Sequence, residues 1–168
     1  LGRGVAYART GETSRAQVDL ERSAALLPTA TAMNELGKIS LNNNDRGTAK
    51  QYFQAAAGGG GSVANEAAIA FTRLDLEDNP AAYVQAQIYT DGDGRVLARV
   101  SNRSGIALQP IQLSFTAFIN GETNQVVRVL NNLAANQTLD VNSGLRYPAG
   151  VSGNADQMNV RVTSARSQ

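Results

Sequence analysis

Apolar positions along the chain follow two different periods. In the first half they fall at helical spacing, as at Ala16 and Leu20, at Ala49 and Phe53, and at Ala67, Ala70, Phe71 and Leu74. The last set predicts a helix over 63–77 that begins after Ser62. In the second half apolar and polar residues alternate. Ile111, Leu113, Phe115, Ala117 and Ile119 share one face of a strand against Gln112, Ser114 and Thr116, and Met158, Val160 and Val162 alternate with Asn159, Arg161 and Thr163. Further strands are predicted over 83–90, 95–101, 125–130 and 137–143, with hairpin turns at Asp91-Gly92-Asp93-Gly94 and Asn120-Gly121-Glu122.

Composition supports the same division. Residues 1–82 hold seventeen alanines and three valines, whereas residues 83–168 hold nine and ten. Alanine favours helix, and β-branched valine suits a half-buried pleated surface. We place the break at Asn79-Pro80, with a helical domain over 1–80 and a β domain over 81–168.

The helical half repeats itself: Gly4 recurs as Gly37, Gly11 as Asn44, Ala16 as Ala49, Leu20 as Phe53 and Ser23 as Ala56, always 33 residues on. Small residues at fixed offsets let paired helices approach, which is the mark of a helical solenoid. The first unit, Gly4-x-x-Tyr7-x-x-x-Gly11-x-x-x-x-Ala16-x-x-x-Leu20-x-x-Ser23 followed by Pro28, resembles the tetratricopeptide (TPR) pattern. Tyr7, Leu20, Phe53 and Phe71 are core residues on this reading, and Ser14 with Gln17 forms a capping box. The second unit is weaker, because Ser40 replaces the large aromatic and Gly58 to Gly61 stand where proline is expected. The array opens inside a repeat at Leu1, so either repeats upstream or cover of one end by the β domain is expected. Six or seven short strands make the second half an antiparallel sandwich of immunoglobulin-like type. The expected fold class is thus α+β in two domains, an α–α superhelix of about 2.5 TPR units followed by an immunoglobulin-like β-sandwich.

The chain contains no histidine and no cysteine, which excludes Ser-His-Asp and Cys-His nucleophile pairs, His- or Cys-ligated zinc, and disulfides. Fifteen basic and fourteen acidic residues nearly cancel, so no overall field draws nucleic acid. Apolar runs fall well short of the roughly 20 residues that span a bilayer.

The remaining motifs have plain readings. Gly58-Gly59-Gly60-Gly61-Ser62 lacks the lysine of a phosphate loop and the preceding strand of a dinucleotide site, and reads as an interhelix loop with Ser62 as N-cap. The Asp91 to Gly94 segment lacks the glutamate of a calcium loop, since Asn102 stands at the twelfth position. Asn102-Arg103-Ser104 and Asn136-Gln137-Thr138 are acceptor sequons that fall at predicted turns. Asp75, Glu77 and Asp78 read as a solvated helix end or an interdomain contact rather than an acid–base dyad. No catalytic, cofactor-binding or metal-binding residue is expected.

Aligning the two units puts Arg9, Asn34, Lys38 and Asn42 on the concave groove, where one guanidinium, one ammonium and two amides suit a peptide backbone or a carboxylate.

The junction Leu74-Asp75-Leu76-Glu77-Asp78-Asn79-Pro80-Ala81-Ala82-Tyr83, with Gly94 to Asn102, resembles the C-terminal regions of bacterial envelope proteins in which TPR helices lead into a small β domain. Several of these carry an HtpX-like or BepA-like zinc metallopeptidase domain upstream. The resemblance implies a periplasmic, non-catalytic region that recruits protein or peptide partners to a peptidase lying before Leu1. Its H-E-x-x-H zinc helix has no counterpart here. Val100-Ser101-Asn102-Arg103-Ser104 likewise resembles the strand end of sandwich modules used for docking. The alternative expectation is a scaffold or assembly subunit of an envelope complex, without a linked protease, whose edge strands pair with another chain.

Overall fold

The structure, a computed structural model, describes residues 1–148, 151 and 153–167. Among the described residues, six helices precede six strands. The chain divides into two compact units, Leu1–Asp75 and Leu76–Gln168.

The first unit contains α1 (Gly2–Thr10), α2 (Thr13–Leu26), α3 (Ala30–Asn42), α4 (Arg46–Ala57) and most of α5 (Gly61–Asp78). One contact is built twice, 33 residues apart. A Cβ on Gly4 would lie 2.8 Å from Leu20 Cγ, and one on Gly37 would lie 2.7 Å from Phe53 Cε1. In each hairpin a large side chain of the second helix therefore rests on bare backbone of the first. Ala16 and Ala49, at matching places, are also fully buried. Tyr7 and Phe71 are only partly buried and pack against these clusters.

Caps differ from the expected ones. Helix α2 begins at Thr13 with Glu12 at the N-cap and no side-chain cap bond, so Ser14 lies inside the helix and Gln17 instead donates to Glu21. Gly11, at φ 81°, closes α1 in the left-handed conformation. Helix α5 starts at Gly61, ahead of Ser62. Gly59 is more than a spacer, because a Cβ there would come within 2.8 Å of the Ala30 Cβ at the start of α3. The Thr29 hydroxyl accepts from Ala32 N at 3.2 Å and caps α3. Thr29→Ala should lower unfolding free energy by about 1 kcal/mol, with Thr29→Ser close to wild type, measured by urea denaturation of the full chain.

In the second unit the short helix α6 (Pro80–Tyr83) leads into β1 (Val84–Thr90), β2 (Arg95–Asn102), β3 (Leu108–Ile119), β4 (Glu122–Leu130), β5 (Thr138–Arg146) and β6 (Met158–Ser167). They form two antiparallel three-stranded sheets, ordered β1-β2-β5 and β4-β3-β6. The central strands are the most buried. Val96, Ala98 and Val100 of β2 meet Ile111, Leu113, Phe115 and Ala117 of β3 in one sandwich-like core that also takes in Leu76. Strand β4 runs against its own apolar pattern: Val127 and Val129 are exposed, while Arg128 is half-buried. Its guanidinium lies where a side chain on Gly144 would stand, and Gly144 has φ +81°.

Candidate functional site

Asn34, Lys38 and Asn42 occupy positions i, i+4 and i+8 of α3, so one face of that helix presents all three. Asn34 is buried, Lys38 half-buried and Asn42 exposed. The Lys38 ammonium is shared, with its Nζ 2.9 Å from Glu35 Oε1 and 2.9 Å from Glu66 Oε1. Glu66 belongs to α5 and also accepts a hydrogen bond from the Asn34 side chain. Arg9 lies exposed in the last turn of α1 and forms no ion pair among the described residues. The structure thus joins Asn34 and Lys38 to two carboxylates, and leaves Arg9 and Asn42 outside that group.

These contacts set the electrostatics. Burial pulls the Lys38 ammonium down, but its bonds to Glu66 and Glu35 outweigh burial and hold its pKa above the ordinary lysine value. The Glu66 carboxyl is held below its usual range, chiefly by the Lys38 hydrogen bond and then by that of Asn34. Lys38 and Glu66 are therefore held in their charged forms, and with Glu35 the cluster has a formal net charge of −1. Asn34 Oδ1 is buried and accepts no hydrogen bond among the described residues. Lys38 and Glu66 keep much of their side chains in solvent.

Glu66 lies in the closing half-unit, beyond the two units whose alignment gives Arg9, Asn34, Lys38 and Asn42. Extending the 33-residue period makes α5 the next helix in the series α1, α3, α5, with Ala70 standing where Gly4 and Gly37 stood. An acid near the start of α5 then falls beside Lys38.

The other motifs resolve into structure. Asp91 Oδ1 accepts from Asp93 N at 3.0 Å and Arg95 N at 2.8 Å, and Arg95 pairs with both carboxylates, so this segment is a braced hairpin turn. Asp75 pairs with Lys50 of α4 at 2.6 Å. Asn102 is buried, and its Nδ2 donates to the carbonyls of Ile106, Leu133 and Ala134. Its Oδ1 accepts from Ser104 N and Ser104 Oγ, so the first sequon is a polar clip with no free amide in the folded chain. Asn136 is exposed at φ 58°, in a turn.

Among the described residues no group of three acidic or imidazole or thiol side chains is placed to hold a metal ion, and no helix is long and apolar enough to cross a membrane. Comparisons with models of known protein families, with curated proteins and with solved structures find nothing that matches the chain.

Proposed function

We propose that this chain is a non-catalytic protein-interaction region, a TPR-like array with an immunoglobulin-like domain, whose helical face binds an extended peptide. The observation that carries the reading is the glycine-to-large-residue contact repeated after 33 residues, one short of the 34-residue TPR period, Gly4 on Leu20 and Gly37 on Phe53. In such arrays the first helices of successive units line the concave surface, which assigns α1, α3 and α5 to it. The accessible chemistry on α3 and α5 is the Lys38–Glu66 pair with Glu35, of net charge −1, so the favoured peptide carries a lysine, an arginine or a free amine. A carboxylate fits less well than the residue types alone suggest, because Lys38 is already engaged.

Fluorescence polarisation of basic, neutral and acidic peptides against the full chain tests this. Basic peptides should bind best, with Glu66→Gln weakening them about tenfold. A variant with Arg9, Asn34, Lys38 and Asn42 all changed to alanine, checked for intact helicity, loses two positive charges and frees Glu35 and Glu66, so it should bind basic peptides more tightly. Unchanged binding in both variants would remove this face from the function. The wider reading, recruitment of proteins to an envelope zinc metallopeptidase, rests on the resemblance of the 74–83 junction. An H-E-x-x-H motif upstream of Leu1 in the full reading frame would support it, and a frame without one would leave a scaffold subunit.

A further inference from the structure

We propose a second interaction surface, separate from the helical face: the outer edge of β6 accepts an added β-strand from a partner chain, apolar on the side facing the core and acidic on the side facing solvent.

Strand β6 is hydrogen-bonded along one side only, to β3, and β1 along one side only, to β2. Their open edges lie next to each other and border a groove of about 580 Å³. Val84 and Ala86 of β1 and Val160 and Val162 of β6 line it, with Arg161 on the same stretch of β6. In an antiparallel strand half of the backbone N–H and C=O groups point to each side, so β6, beside part of which α6 lies, offers a ladder of donors and acceptors along the rest of its free side.

The register says what strand would fit. Val160 is opposite Phe115 and Val162 opposite Leu113, both core residues, so Val160 and Val162 point inward. Arg161 is opposite Ser114 and points outward. A strand added beside β6 would continue that pleat, and its inward side chains would pack beside the half-buried Ala86, Val160 and Val162. Its outward side chains would stand next to Arg161, where an opposite charge forms a favourable cross-strand pair.

Charge selects the sign. Strands β1 and β6 hold no acidic residue, whereas β6 holds Arg161 and Arg166, both exposed and without an ion pair among the described residues. Edge strands are normally protected from pairing by charge or proline. Strand β1 has neither, and β6 has arginines only. Such an edge repels basic strands and a second copy of itself, and admits an acidic one.

A blocked nine-residue peptide of alternating valine and glutamate is the probe, with a valine–lysine peptide and a valine–glutamate peptide N-methylated at alternate residues as controls. Binding to the full chain is read by isothermal titration, and its place by amide hydrogen exchange. The expected result is binding of the valine–glutamate peptide with new protection confined to β6. N-methylation should remove the binding, and Arg161→Glu should weaken it about tenfold while improving the valine–lysine peptide. Arg161 is exposed, so the variant should keep the wild-type Tm. Four results would each overturn the proposal: no peptide binding, equal binding of both charge types, protection on β4 or β5, or a chain dimer through β6 that the peptide cannot dissociate. Wild-type peptide binding by the quadruple alanine variant of the helical face is expected, and separates this surface from that one.

Discussion

Replacing Asn102 with leucine, which keeps the volume and deletes the amide, should destabilise the chain by roughly 3–5 kcal/mol. The Nδ2 group satisfies three carbonyls, at 2.8 Å to Ile106 O, 3.2 Å to Leu133 O and 2.9 Å to Ala134 O. The Oδ1 atom takes Ser104 N at 2.9 Å and Ser104 Oγ at 2.6 Å. Leucine would remove all five hydrogen bonds, each worth about 0.5–1.5 kcal/mol net, and would orphan Ser104 N, whereas the three carbonyls keep Ser104 Oγ, Leu108 N and Gln137 N. Because Leu133 and Leu108 exchange backbone hydrogen bonds beside this clip, the entry of β3 should loosen as well.

Asn102→Asp sharpens the test through its pH dependence. The new carboxylate would face three carbonyl oxygens in a buried site, so its folded-state pKa would rise above the unfolded value of about 4. The folded state would then bind the proton more tightly, and stability would fall as pH rises through the unfolded pKa. Urea denaturation should therefore show a larger deficit at pH 7 than at pH 4, a difference that the leucine variant lacks. A loss below about 1 kcal/mol for both variants would mean that solvent replaces the clip.

The second large effect is expected at Phe53. It is 1% exposed and packs against Gly37, so Phe53→Ala removes a ring from the core it shares with Ala49, Ala56, Ala67 and Leu74. The expected loss is about 3–5 kcal/mol, a fall in Tm of well over about 10 °C for a unit of this size. Gly37→Ala approaches the same contact from the other side. Alanine is the better helix former by about 1 kcal/mol, but its Cβ would sit 2.7 Å from Phe53 Cε1 and 2.8 Å from Cδ1. Overpacking of that kind costs about 1–3 kcal/mol, so a net loss is expected. Combined with Phe53→Leu, which frees the space, the glycine change should cost less than it does alone. Additive losses in that cycle would show that Gly37 is not there for the ring.

Much of this was legible in the sequence because period and turn chemistry are local. All six strands match alternating segments, and the Gly4, Leu20, Gly37 and Phe53 contacts follow from a 33-residue offset. What was hidden depended on distant partners. Strand β3 starts at Leu108, three residues ahead of its regular alternation, because a register shift between Leu108 and Ile111 buries both. Arg128 turns toward the interior because Gly144, sixteen residues on, leaves room for it. Asn102 resembles a modification site until the loop carrying Leu133 and Ala134 closes over it. Asn34 and Lys38 share one face of α3 by their spacing, but their electrostatic setting was hidden, since Glu66 arrives from another helix.

The twice-built glycine contact also bears on how the chain reaches this state. Leu20 lies sixteen residues from Gly4, and Phe53 sixteen from Gly37, so each helical hairpin closes over a short loop. Strand β3 must instead find β6 across a much longer stretch, as in the pairing of Phe115 with Val160. Short closure favours speed, and long closure delays it. The sequence thus sets a timetable, in which the hairpins of the first unit assemble while the margins of the second are still searching for each other.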